Sequence, residues 1–199
     1  MRKNFGAKEM CYPMPVFIIG TYNEDGTPNA MNAAWGGVTE EAQLTICVEA
    51  THRTAKNIQS RKAEHKTAEN VLARKAFTVS MGTAQYVAAC DYVGIVSGNK
   101  EPGKFAKAGF HATRSDFVDA PLIDELPMAL ECEMISYDPE SCRLIGKVVN
   151  VCVDETYLDA KGKVDVAKLR PITFDPVHHK YLVLGEAVGA AFSDGLTLK

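Results

Sequence analysis

Apolar positions in this chain fall into short runs separated by turn-forming residues, and the runs predict strands first. Residues 15–22 (P-V-F-I-I-G-T-Y) are rich in β-formers, 23–26 (N-E-D-G) supply an Asp-Gly turn, and 28–38 can return as one partner strand. Residues 43–48 alternate Leu44, Ile46 and Val48 with Thr45 and Cys47, the period of a half-buried third strand. Residues 51–76 read as helix throughout, being rich in Ala, Lys, Arg and Glu without Gly or Pro, and 77–81 (F-T-V-S-M) read as strand again. Short helices are expected at 86–92 and at 102–109, the second begun by Pro102 and stopped by Gly109. Strands at 128–137 and 143–153 flank the turn 138–141 (D-P-E-S). They are followed by a turn at 161–163, extended pieces near 171–174 and 181–184, and a terminal helix at 186–192. Many short strands, few helices and no βαβ alternation predict one mainly β domain over residues 1–199, a barrel with peripheral helices.

A repeat lies inside the helical region, at about 52–76. Residues 52–63 (H-R-T-A-K-N-I-Q-S-R-K-A) realign with 65–76 (H-K-T-A-E-N-V-L-A-R-K-A) at an offset of 13, a local tandem duplication and not a solenoid. At about 100° per residue the copies stand roughly 140° out of phase on one straight helix. One copy is therefore expected to keep the parental docking while the other extends, kinks or loops out.

Composition narrows the function classes. A formal charge of -3 spread in mixed signs gives no electrostatic footprint for nucleic acid. No apolar stretch reaches the roughly 20 residues of a membrane span, and no apolar segment follows the first charges, so the expected address is cytoplasmic. The six cysteines include no C-x-x-C pair and are expected mostly as buried small apolar residues, with Cys132 and Cys142 able to face each other across a hairpin. His178 and His179 lack a fitting third ligand, and no G-x-S-x-G elbow is present. Neither a metal site nor a catalytic nucleophile is expected.

Three segments could carry binding chemistry. In 28–37 (P-N-A-M-N-A-A-W-G-G) small residues crowd around the single tryptophan, which suits either a flat ring against the main chain or a packed helix or bulge. Thr51, Arg53 and Thr54 stand where a helix begins and read either as a phosphate cradle or as an ordinary cap; Lys66 and Thr67 repeat the kit in the second copy. The loop 94–100 (G-I-V-S-G-N-K), with Lys104 near it, lacks the spacing of a P-loop or a Rossmann turn and suits either a cofactor edge or a surface turn.

In order along the chain, several of these segments resemble the flavin reductase-like family with the FMN-binding split barrel, and its flavoredoxin-like branch most. They are 15–22 with its turn, 29–37, the helix start after the third strand, 77–80, Val96-Ser97-Gly98 with Lys104-Phe105, and Leu130-Glu131-Cys132. Residues 146–151, 174–176, 184–186 and 192–195 complete the series. The resemblance implies a homodimer holding FMN near the subunit interface. Asn32, Ala33, Ala34 and Trp35 would lie along the isoalloxazine, and Thr51, Arg53 and Thr54 would face the phosphate. Lys66 and Thr67 are the alternatives for that role, and Ser97, Gly98 and Lys104 would add contacts. The duplication departs from the family pattern and leaves open which copy serves. The expected function is transfer of electrons from NADH or NADPH through FMN to an acceptor. The alternative is a flavoredoxin-like carrier with permanently bound FMN and protein partners.

Overall fold

A computed structural model describes residues 1–48 and 66–198. The strands and helices are β1 (Met14–Pro15), β2 (Phe17–Tyr22), β3 (Pro28–Ala33), β4 (Gly36–Glu40), β5 (Gln43–Cys47), α1 (Lys66–Arg74), β6 (Ala76–Met81), α2 (Val87–Ile95), α3 (Lys104–Lys107), β7 (Ala112–Arg114), β8 (Pro121–Ile123), β9 (Met128–Asp138), β10 (Arg143–Val153), α4 (Val166–Leu169), β11 (Ile172–Asp175) and β12 (Lys180–Val183). Seven strands form one antiparallel sheet in the order β3-β2-β6-β9-β10-β5-β4, while β1-β11-β12 and β7-β8 make small separate sheets.

Connectivity alone forces the large sheet to curl. β3 and β4 are its two edges, yet only Ala34 and Trp35 separate them in sequence. Laid flat, six inter-strand steps would span about 29 Å. Three Cα steps reach at most about 11 Å. The edges must therefore approach, and since they are not paired with each other the barrel stays split.

Strand alternation sorts the core. Phe17 and Ile19 of β2 face the barrel interior with Leu44, Ile46, Phe77, Val79 and Leu144, capped by Ala68 and Val71 of α1. Val16 and Ile18 face the other way, toward Cys90 and Val93 of α2 and Phe105 of α3. Both faces of β2 are covered, which is why its sequence is apolar without alternation.

The structure corrects several expectations. The partner strand at 28–38 is two strands, broken where the sheet closes on itself. The helix expected over 51–76 lies within the described residues only from Lys66, and it ends at Arg74. Lys75 takes a left-handed φ of 58° and returns its N–H to Val71 O at 2.8 Å, so the next residue can enter β6 without a Gly or Pro stop. Of the duplicated pair, it is the second copy that docks among the described residues. The terminal helix at 186–192 is absent: that segment is irregular and exposed, followed by a 3-10 turn at Asp194–Leu198, and a short helix with no face packed on the barrel has little to hold it. β7, β8 and α4 are too short to carry a readable period. Only Cys90 and Cys132 of the six cysteines are buried, none is in a disulfide, and Cys132 stands opposite Val148, not Cys142.

Candidate functional site

The edge strand β3, the start of α1 and the loop after α2 enclose a cavity of about 460 Å³, within the size range of small-molecule sites. Asn29, Met31 and Asn32 come from β3, Lys66 and Thr67 from α1, and Val93 to Lys100 with Lys104 from the end of α2 and the turn beyond it. Three lysines and no carboxylate line it, so it suits an anion.

The walls are held by side-chain hydrogen bonds between elements. Asn29 Nδ2 donates to Thr67 Oγ1 at 3.0 Å, which ties β3 to α1. Asn32 Nδ2 donates to Cys90 O at 3.1 Å and to the Tyr181 hydroxyl at 3.4 Å, which ties β3 to α2. Tyr181 in turn donates to Asp91 Oδ1 at 2.8 Å, and burial followed by that carboxylate raises its pKa. Two glycines set the spacing. A Cβ on Gly94 would lie 2.9 Å from Asn32 Cβ, and one on Gly98 would lie 2.7 Å from Asn29 Oδ1. The loop can approach β3 this closely only without side chains at those positions.

Lys104 is 3% exposed, and its Nζ donates to Val93 O and Val96 O, both at 2.9 Å. It thus closes the C-terminal end of α2, where orphan carbonyls favour a cation. Burial pulls its pKa down to about 8, so it carries charge at neutral pH. Ser97 Oγ accepts from Asn99 N at 3.3 Å, bending the loop over the cavity. Lys66 reaches Glu69 at 3.4 Å and stays partly exposed.

Of the residues singled out in sequence, Asn32, Lys66, Thr67, Ser97, Gly98 and Lys104 meet in this one cavity. Ala33 and Ala34 do not line it: both are buried, Ala33 in the barrel core. Trp35 is 51% exposed and sits against Phe174, ring centroids 6.4 Å apart, over a separate surface depression with Cys47 and Arg143. Thr51, Arg53 and Thr54 lie outside the described residues. The sequence points to Asn29 and Met31 only as members of the 28–37 segment, without a role of their own, and it does not point to Val93. Among the described residues no cluster of three His, Cys, Asp or Glu could hold a metal.

The donor set fits FMN. Three cations and two hydroxyls suit a phosphate, glycine-spaced main chain suits close approach of a flat ring, and Met31, Val93 and Ile95 give apolar wall. A family model described as flavin reductase like domain matches residues 10–168. Flavoredoxin of Desulfovibrio vulgaris (Miyazaki F) superposes with a TM-score of 0.86 and 36% identity, covering 98% of this chain and 100% of that one. Flavoredoxin from Methanosarcina acetivorans gives a TM-score of 0.82 and 25% identity, with both chains fully covered. An FMN-binding domain of a flavin reductases-like enzyme from Shewanella baltica OS155 gives 0.71 and 19% identity over 88% of this chain and 89% of that one, a likeness of fold alone. A search of curated proteins finds no match.

Proposed function

The chain belongs to the flavin reductase like domain family, and on that premise we propose that it holds FMN in the cavity between β3, α1 and the 94–100 loop and works as a flavoredoxin-like electron-transfer protein. The observation that carries the reading is the lysine-lined, carboxylate-free cavity walled by glycine-spaced main chain. Likeness to a flavoredoxin over nearly the whole of both chains favours a carrier with resident FMN over a reductase that releases it.

Bound FMN would supply the redox chemistry, and the protein supplies position and charge. Lys66 and Lys100 would hold the phosphate by charge, with Thr67 and Ser97 as the hydroxyls beside it. Lys104 fixes the loop and adds positive potential from beneath. Asn32, held by Cys90 O and Tyr181, presents a rigid edge to the ring, and its Oδ1 makes no hydrogen bond among the described residues. No side chain is needed as acid or base. The chain is read as a homodimer with the site near the subunit interface. Reduction by NADH or NADPH is the second reading, favoured by the family's description.

The test is the visible spectrum of the purified protein with and without FMN, repeated anaerobically with NADH and NADPH. Bound flavin unchanged by either nucleotide is the expected result. Rapid bleaching by one of them would move the assignment to a reductase, and a folded protein that never takes up FMN would end the flavin reading.

A further inference from the structure

After Tyr181 the chain turns its apolar side chains to water. Every residue of 182–198 is exposed, and Val188 and Phe192 are completely so, at 100% and 102%. Leu182, Val183, Leu184, Leu196 and Leu198 are exposed as well. β12 is also an edge strand of its small sheet, with its outer backbone groups unpaired among the described residues. An apolar surface of this extent on a single chain marks an interaction site.

The end of this segment is not limp. Asp194 Oδ2 accepts from Ala190 N at 2.9 Å, Asp194 N bonds back to Ala190 O at 3.1 Å, and Thr197 Oγ1 closes onto Asp194 O at 2.7 Å. Gly189 lets the turn tighten, since a Cβ there would lie 2.5 Å from Asp194 Oδ2. The tip is braced by its own hydrogen bonds and presents Phe192 and its neighbours outward without help from the barrel.

The same chain has an apolar groove that this segment leaves empty. A depression of about 530 Å³ runs beside β1 and β11, lined by Met14, Phe17, Met81, Met128, Val166 and Ile172 among others, with Thr173 the sole polar side chain of its described lining. Leu184 is part of its lining and its N–H reaches Pro171 O at 3.4 Å; none of residues 185–198 lines it.

We infer that residues 185–198 form an exchanged arm, seating Val188, Phe192 and Leu196 in the apolar groove of a second copy of this chain. An arm with apolar side chains and no groove, on a molecule with an apolar groove and no arm, is self-complementary. A two-fold axis satisfies both at once, each arm counted in the partner's groove. The three methionines of its lining, Met14, Met81 and Met128, are flexible enough to mould to an aromatic side chain. The inference rests on the homodimer reading above and specifies what holds the dimer.

The test uses the full-length protein. Val188→Asp with Phe192→Asp changes two side chains that touch nothing in their own subunit, so the thermal stability of the isolated subunit should not move. The dimer dissociation constant from sedimentation equilibrium should rise by at least about tenfold, the scale of losing one interface anchor. A photo-crosslinking benzoylphenylalanine at position 192 should yield covalent dimers whose cross-links map to Met14, Met81 or Met128. A dimeric wild type with unchanged affinity in the double variant overturns the arm while leaving the homodimer reading intact. Cross-links confined to one subunit overturn it as well. A monomeric wild type would remove both readings together.

Discussion

Lys104 shows how one side chain serves packing and site at once. Its ammonium is buried under the cavity and satisfies two carbonyls at the end of α2. Replacing it with Met removes both bonds and should cost about 2–3 kcal/mol in denaturant unfolding. Its titration has a definite sign. The unfolded chain holds the proton up to about 10.4, while burial lowers the folded value to about 8. Between those values the unfolded state binds more protons, so stability should rise with pH across that window. A neutral amine still has two N–H groups for the two carbonyls, so nothing is broken by the change. The difference in unfolding free energy between wild type and Lys104→Met, measured from pH 7.5 to 10.5, should widen; a flat difference would refute the assignment. Sequence showed Lys104 as a cation near a glycine loop. That it points beneath the loop and is spent on backbone carbonyls depends on α2 and α3 packing together, which no local pattern records.

At the scale of elements, α1 explains both what the duplication preserves and why sequence could not choose between copies. The docked helix is keyed by polar bonds as much as by apolar ones. Thr67 accepts from Asn29, Asn70 Nδ2 donates to Thr21 Oγ1 and Asn23 Oδ1 at 3.0 and 2.9 Å, and Arg74 donates to Asn23 O and pairs with Asp119. Ala68 and Val71 are buried between these keys. Thirteen residues earlier the sequence carries Thr54, Ala55, Asn57, Ile58 and Arg61, the same kit with one added methylene. Local sequence therefore specifies the docking face twice. Deleting residues 53–65 joins His52 to Lys66 and leaves one complete kit, so the shortened protein should fold with an unchanged melting temperature and still bind FMN. Loss of flavin binding by that folded variant would assign the phosphate contacts to Arg53 and Thr54. Strands are more legible in the sequence than helix ends, since strand alternation is written in every second residue whereas the stop at Arg74 depends on Lys75 accepting a left-handed backbone.

At the scale of the whole molecule, the N-terminal segment is tied to β11. Tyr12 donates to Asp175 Oδ1 at 2.5 Å across 163 residues, while His178 Nδ1 lies 2.7 Å from Oδ2. The Tyr12 hydroxyl first, then His178 and the backbone N–H of Val177, hold this carboxyl well below the usual range. Below about pH 3.9 the unfolded chain takes up a proton that the folded one refuses, so this tie is present above that pH and is lost as acid is added. Melts of wild type from pH 6 to 3 should fall more steeply than those of Asp175→Asn, and parallel curves would exclude the tie as a contributor. The sequence by itself determined that this is a mainly β chain, where its strands and hairpin turns fall, and which family it resembles, because alternation and turn chemistry act between near neighbours. Only the tertiary structure decided that Ala34 and Trp35 bridge two sheet edges, that residues from β3, α1 and the loop after α2 share one cavity, and that 186–192 forms no helix. Those outcomes depend on sheet closure and on which surfaces remain to be buried, and such contacts join residues far apart in the chain.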